Sequence, residues 1–308
     1  MGKRIKLDII LAYFLIYVVW GSTYFFIDVA LKGFPIFLLG TLRFSVAGII
    51  MLMWCCQRGE ALFDKKLIIR SAISGFMLLF VDMTVIMLSE QYVTSSLVAI
   101  ISASTAIWIT LLDVPMWKNN FKNTWVILGI SLGFIGVLLL YVEQYVSHKL
   151  DSSHNYGIAI LIFGCISWAL GTLFTKYVTS NEEKSKGFSG TAWQMIFASL
   201  MFGIFSLGRR ETVSIDFQNV PVSSWFSLVY LIVLGSVLAY SAYIWLLNKR
   251  PATEVGTHAY VNPLVAVFFG SWIGNELVSI LQIFGLFVIC VGVMLVNKTI
   301  KQNKINLK

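Results

Sequence analysis

Polar residues are sparse along this chain and cluster in short stretches such as "QRGEALFDKK", "KNNFKN" and "TSNEEKSKG". Between the clusters run apolar segments of roughly 20 residues, the length an α-helix needs to cross the hydrocarbon core of a bilayer. Ten such segments are predicted, at residues 9–31, 35–56, 67–88, 94–116, 124–142, 156–177, 189–208, 223–247, 254–274 and 279–297. The pattern therefore predicts an all-α polytopic membrane protein. A long interval, near residues 142–155, divides the spans into two sets of five, 9–142 and 156–297.

An odd number of spans in each set turns the second set upside down relative to the first. If the sets are repeats, they are inverted repeats, an arrangement common among secondary transporters. "VVWGSTYFF" in the first span matches "ISWALGTLF" in the sixth and aligns Trp20 with Trp168. "LGISLGFIGVLLL" matches "FGLFVICVGVMLV" and aligns Gly129 with Gly285 and Gly136 with Gly292. Glycines on one face allow close helix approach in lipid.

Composition agrees: 58% of the 308 residues are hydrophobic, 12% are charged and mean hydropathy is +0.81, far from soluble domains. The net charge of +8 would suggest nucleic acid in a soluble protein, but here the basic residues lie in loops between spans. Of 23 Lys and Arg, four (Lys32, Lys149, Arg209 and Arg210) fall on one face of the predicted topology and Arg43 lies inside a span. The others share the face of the chain termini, which puts both termini in the cytoplasm. The N-terminus is basic and then apolar, but the apolar run lacks a small-residue cleavage site and reads as the first span. Cys55, Cys56, Cys165 and Cys290 show neither a disulfide framework nor metal spacing.

Three stretches carry a family resemblance. "WGSTYFFIDVALKGFPIFLLGTLRFSVAGIIML" resembles the opening of the EamA family of the drug/metabolite transporter superfamily. "SEQYVTSSLVAIISAST" resembles the fourth helix of its first repeat, and "HAYVNPLVAVFFGSWIGNELVSILQIFGLFVICVGVML" the end of its second. The resemblance covers nearly the whole chain. It implies a ten-helix carrier of two inverted repeats, usually an exporter of amino acids or other small metabolites. Two departures stand out. The family's proline and following acidic residue are present in the second half as Pro263 and Glu276, but Ala106 and Asn119 hold the corresponding places in the first. The first half is thus expected to lack the broken helix and its carboxylate. Asp82 also stands where the family pattern tends toward Gly or Asn.

Ionisable groups within spans face a cavity or a partner. Arg43 and Asp82 lie at similar depths, so they are expected either to pair or to hold the two ends of a zwitterionic substrate. The Asp82 carboxylate is also a candidate proton carrier. Asp28 and Glu90 are expected at a water-reached mouth. His258 and Asn262 share a helix face beside Tyr260, and Pro263 is expected to break the helix and free the Ala259 carbonyl. Glu276 is expected to cap the start of the tenth helix or to gate the outer mouth. Trp20, Tyr24, Trp168, Tyr240 and Tyr243 are candidate pocket aromatics.

Catalytic motifs are missing or misplaced. "GISLG" at 129–133 has the G-x-S-x-G spacing but lies in a membrane helix. There is no H-E-x-x-H, aspartate-rich phosphate–magnesium or Walker sequence. The expected function is secondary transport through a central cavity lined by spans 1, 3, 4, 6, 8 and 9, in a bacterial plasma membrane. The expected partners are a small metabolite, protons as coupling ion and the lipid bilayer, with no nucleic acid, metal or cofactor; the sequence sets no oligomeric state. A sensor would call for a signalling domain or long loop that this chain lacks. A channel would call for a continuous polar pore.

Overall fold

The computed structural model describes residues 2–117, 121–147, 152–178, 187–250 and 252–305. Among them there is no strand. Ten long helices follow one another: α1 (Leu7–Leu31), α2 (Ile36–Gln57), α3 (Lys65–Ser89), α4 (Ser95–Leu112), α5 (Thr124–Ser147), α6 (Ser152–Val178), α7 (Ser189–Gly208), α8 (Val222–Lys249), α9 (His258–Trp272) and α10 (Ile280–Ile305). Seven of these (α1–α4 and α6–α8) are long and apolar enough to cross a membrane; α5, α9 and α10 contain shorter apolar stretches, among the described residues. Their starts follow the apolar runs within a few residues, while α5 and α10 run five and eight residues past the predicted ends, into polar sequence.

The end of the bundle where α1 begins is called proximal here and the other distal. Helices at matching places in the two halves pack on each other: α2 on α7, α5 on α10 and α4 on α9. Glycine makes the α5–α10 crossing tight. A Cβ on Gly292 would stand 2.5 Å from the Gly129 carbonyl oxygen and 2.8 Å from the Gly133 nitrogen. The apolar side chains along these crossings form one continuous core.

Two carboxylates tie α2 and α7 together reciprocally. At the proximal end Glu60, just beyond α2, accepts from the Phe188 and Ser189 N–H groups at 2.8 and 3.0 Å, capping α7. At the distal end Glu211, just beyond α7, accepts from the Leu38 N–H at 2.8 Å, capping α2. Each supplies an acceptor to helix N–H groups that have no intrahelical partner.

The expectation about helix interruptions is corrected twice. α4 departs from α geometry although it has no proline: between Ser102 and Thr105 its backbone bonds tighten to three-residue spacing, Ser104 N–H to the Ile101 carbonyl at 3.0 Å and Ile107 N–H to the Ser104 carbonyl at 2.8 Å. Conversely, α9 runs unbroken through Pro263. The turn in this region falls earlier, at Gly256–Thr257, between a short helix Ala252–Val255 and α9. A proline removes one N–H and one backbone bond, and that loss alone does not end this helix.

Candidate functional site

Three helices depart from α geometry in their interiors. α1 is π-helical at Leu15–Val19, α3 at Phe76–Val81 and α8 at Leu231–Tyr240. Such widened turns are rare and collect at functional sites. Each ends at a predicted site residue: Trp20 follows the first, Asp82 the second, and Tyr240 closes the third. No proline marks these segments, and sequence reasoning missed them.

The widened turns border a central cavity of about 70 Å³. α1 contributes Trp20 and Tyr24, α3 Asp82, α4 Ser102, α8 Tyr240 and α9 His258. The expected lining helices are all represented, and α2 joins them through Arg43 and Phe44.

Arg43 and Asp82 both line this cavity and are 5% and 7% exposed. They form no ion pair with each other among the described residues, which removes the simple salt-bridge reading. The Arg43 guanidinium donates from Nε to Ser236 Oγ at 2.9 Å, contacts Met83 Sδ at 3.7 Å and lies 5.0 Å from the centre of the Phe44 ring. A hydroxyl from the widened turn of α8, a thioether and a ring thus hold the cation in place.

Aromatic rings close the proximal side of the cavity. Trp20 lies 5.4 Å from Trp168, 5.0 Å from Tyr243 and 5.4 Å from His258 between ring centres. Its indole N–H donates to the Gly235 carbonyl at 3.1 Å, in the widened turn of α8. Tyr243 bonds Thr172 at 2.6 Å, which joins α8 to α6. His258 is turned back onto the preceding short helix, with Nδ1 2.9 Å from the Val255 carbonyl.

Asn262 has a different task from the one expected. With its amide nitrogen facing α1, it donates to the Ile16 and Tyr17 carbonyls at 2.9 Å each and to the His258 carbonyl at 3.1 Å. The first two belong to the widened turn of α1, whose carbonyls lack ordinary helical partners. Asn262 therefore fastens α9 to α1. Below it Tyr17 bonds Thr257 at 2.6 Å, and Tyr13 donates to Glu254 at 3.3 Å. Ala259, four residues before Pro263, lines the cavity. Tyr260 lies in α9, and its side chain is outside the described residues.

The distal carboxylates also differ from expectation. Asp28 pairs with Lys32 at 3.0 Å and is about a third exposed. Glu90, expected at a wet mouth, is buried, and neither carboxylate oxygen has a hydrogen-bond partner. Glu276 does not cap the tenth helix. One of its oxygens accepts from the Ser95 N–H and hydroxyl at 3.2 and 2.6 Å, the other from the Ser96 N–H at 3.1 Å and the Ser96 hydroxyl, so it caps α4. The turn that aims it is built by Asn275, left-handed at φ +55, and by the Glu276 N–H donating to the Gly270 carbonyl at 2.9 Å. Gly270 leaves the room: a Cβ there would come within 2.5 Å of both Glu276 Oε2 and Ser96 Oγ. Asn119, in the corresponding place of the first half, lies outside the described residues.

The EamA-like transporter family model matches residues 7–142 and, a second time, residues 155–298. The chain belongs to the EamA-like transporter family. It is accordingly a multi-pass membrane protein of a transporter family. Among EamA relatives it is 30% identical over 297 residues to the uncharacterized inner membrane transporter YedA of Escherichia coli K12, covering 96% of this chain and 92% of that one. It is 21% identical to the uncharacterized transporter YoaV of Bacillus subtilis 168, covering 93% and 96%. A solved crystal structure shares the fold at a TM-score of 0.66 and 13% identity, covering 93% of this chain and 96% of that one.

Proposed function

We propose that this EamA-like transporter exports a small zwitterionic metabolite, of amino-acid type, across a bacterial plasma membrane by alternating access. One observation carries the reading: Arg43 and Asp82 are both buried, both line one cavity and are not paired with each other. Buried ionisable groups that face a cavity rather than each other mark a substrate or ion pathway. Arg43 would take a substrate carboxylate and Asp82 its ammonium group, while the rings of Trp20 and Trp168 would hold its apolar part.

In this reading all ten helices cross the bilayer, with both termini cytoplasmic and residues 9–142 and 156–297 as inverted halves. The reciprocal caps Glu60–α7 and Glu211–α2 support that symmetry, because each is the other turned end for end. The inner-membrane name of the E. coli relative supports the location. Asp82 would also serve as the proton site if flux is proton-coupled. Driving the change of access requires that substrate or proton bind the two states unequally.

The test is metabolite profiling of the medium around cells expressing the protein, beside cells expressing Asp82→Asn. Accumulation of one amino-acid class only with the intact protein supports the reading. Equal media, followed by no flux of the same solutes in reconstituted vesicles, would overturn it.

A further inference from the structure

A second, smaller cavity, of about 50 Å³, lies at the proximal end between α3, α6, α7 and α8. Its lining is unusually polar for a membrane bundle, with Ser71, Ser74, Thr175, Thr191, Gln194 and Asn248. Thr175 Oγ1 is buried there without a hydrogen-bond partner. Buried hydroxyl and amide groups in an apolar bundle are costly unless water or solute satisfies them.

One chain of hydrogen bonds separates this space from the central cavity. Tyr240, on the central cavity wall, donates to Gln194 Oε1 at 2.9 Å. Gln194 Nε2 donates to Ser74 Oγ at 2.7 Å, and Ser74 donates to the Arg70 carbonyl at 2.9 Å. Gln194 and Ser74 face the second cavity. The widened turn of α8 ends at Tyr240, and that of α3 begins two residues after Ser74. The bridge is thus two side-chain hydrogen bonds placed beside two irregular helix segments. It does not make a proton wire, because an amide neither gains nor loses a proton near neutral pH. Its geometry is that of a plug.

We propose that the second cavity is a solute-accessible vestibule for polar, hydrogen-bonding molecules, and that Gln194 is the gate residue between it and the central cavity. The proposal builds on the carrier reading, but its test reads access and needs no flux. With the native cysteines replaced, Ser71→Cys reports the vestibule and Ser102→Cys the central cavity. A protein retaining Cys56 alone, exposed one residue before the proximal end of α2, defines the proximal face. The probe is a membrane-impermeant maleimide applied to oriented vesicles from either face.

Ser71→Cys is expected to react from the Cys56 face and Ser102→Cys only slowly from it. Adding Gln194→Ala is expected to speed Ser102→Cys labelling from that face about tenfold, the effect of losing two net hydrogen bonds, and to leave Ser71→Cys labelling unchanged. Tyr240→Phe removes a single hydroxyl and is expected to give a smaller increase; it serves if Gln194→Ala does not fold. A Ser71→Cys that is inert from the Cys56 face, or a Ser102→Cys rate unmoved by either substitution, would overturn the gate. Absence of amino-acid flux with this labelling pattern intact would count against the carrier reading alone.

Discussion

Glu276 and Ser95 join the end of α9 to the start of α4 through two hydrogen bonds, at 3.2 Å from the amide and 2.6 Å from the hydroxyl. With the matching pair from Ser96, one carboxylate satisfies the opening turn of a helix more than 170 residues away in sequence. Charge-assisted bonds at a helix N-terminus are the stronger kind. Glu276→Ala is expected to cost about 2 kcal/mol of stability, read as a lower Tm in detergent. Glu276→Gln keeps an acceptor oxygen and is expected to lose less; equal losses would assign the effect to charge alone.

Asn262 is expected to matter more for packing than for substrate contact. Asn262→Leu leaves the Ile16 and Tyr17 carbonyls unsatisfied in an apolar setting. The expected loss is roughly 1–3 kcal/mol, again read as Tm. Pro263→Ala restores a single backbone donor in a helix that is already continuous, so its Tm is expected to change by less than that of Asn262→Leu. A larger effect at Pro263 would return the proline to the centre of the site.

The ten apolar runs were legible because lipid dictates their length and composition residue by residue. Trp20 and Trp168, matched only by sequence similarity, meet at 5.4 Å. Arg43 and Asp82 line one cavity; lone charges in apolar runs have few alternatives. The rest was hidden for a physical reason. The partner of Glu276 is a helix start remote in sequence, which no local pattern encodes. The tightened segment of α4 and the widened turns of α1, α3 and α8 carry no proline, because packing rather than a missing donor sets them.

Glu90 offers a pH test. Burial raises its carboxyl well above the usual glutamate range, the nearby Asp28 and Glu276 charges push the same way, and Arg43 opposes them. A raised folded-state pKa gives stability that is full below the unfolded value and lost as pH climbs through the folded one. The Tm of the intact protein is therefore expected to fall from the ordinary glutamate range upward. Glu90→Gln is expected to flatten that slope. An identical slope in both would show that Glu90 does not titrate on folding.

At the α5–α10 crossing, Gly292→Val places side-chain carbon against the Gly129 carbonyl. The backbones must separate, at a cost of about 1–3 kcal/mol. Lower yield of folded protein and a lower Tm are expected, with Gly208→Val, which meets nothing within 4 Å, as the neutral control.

The widened turns at Leu15–Val19, Phe76–Val81 and Leu231–Tyr240 hold surplus chain within otherwise regular helices. Surplus of this kind behaves like slack in a rope that is tied at both ends. Passing it along by one position turns the residues it crosses by roughly 100° and advances them about 1.5 Å, the increments of a helix. Trp20, Asp82 and Tyr240 stand at the edges of that slack, so they can swing while the loops at either membrane surface stay still.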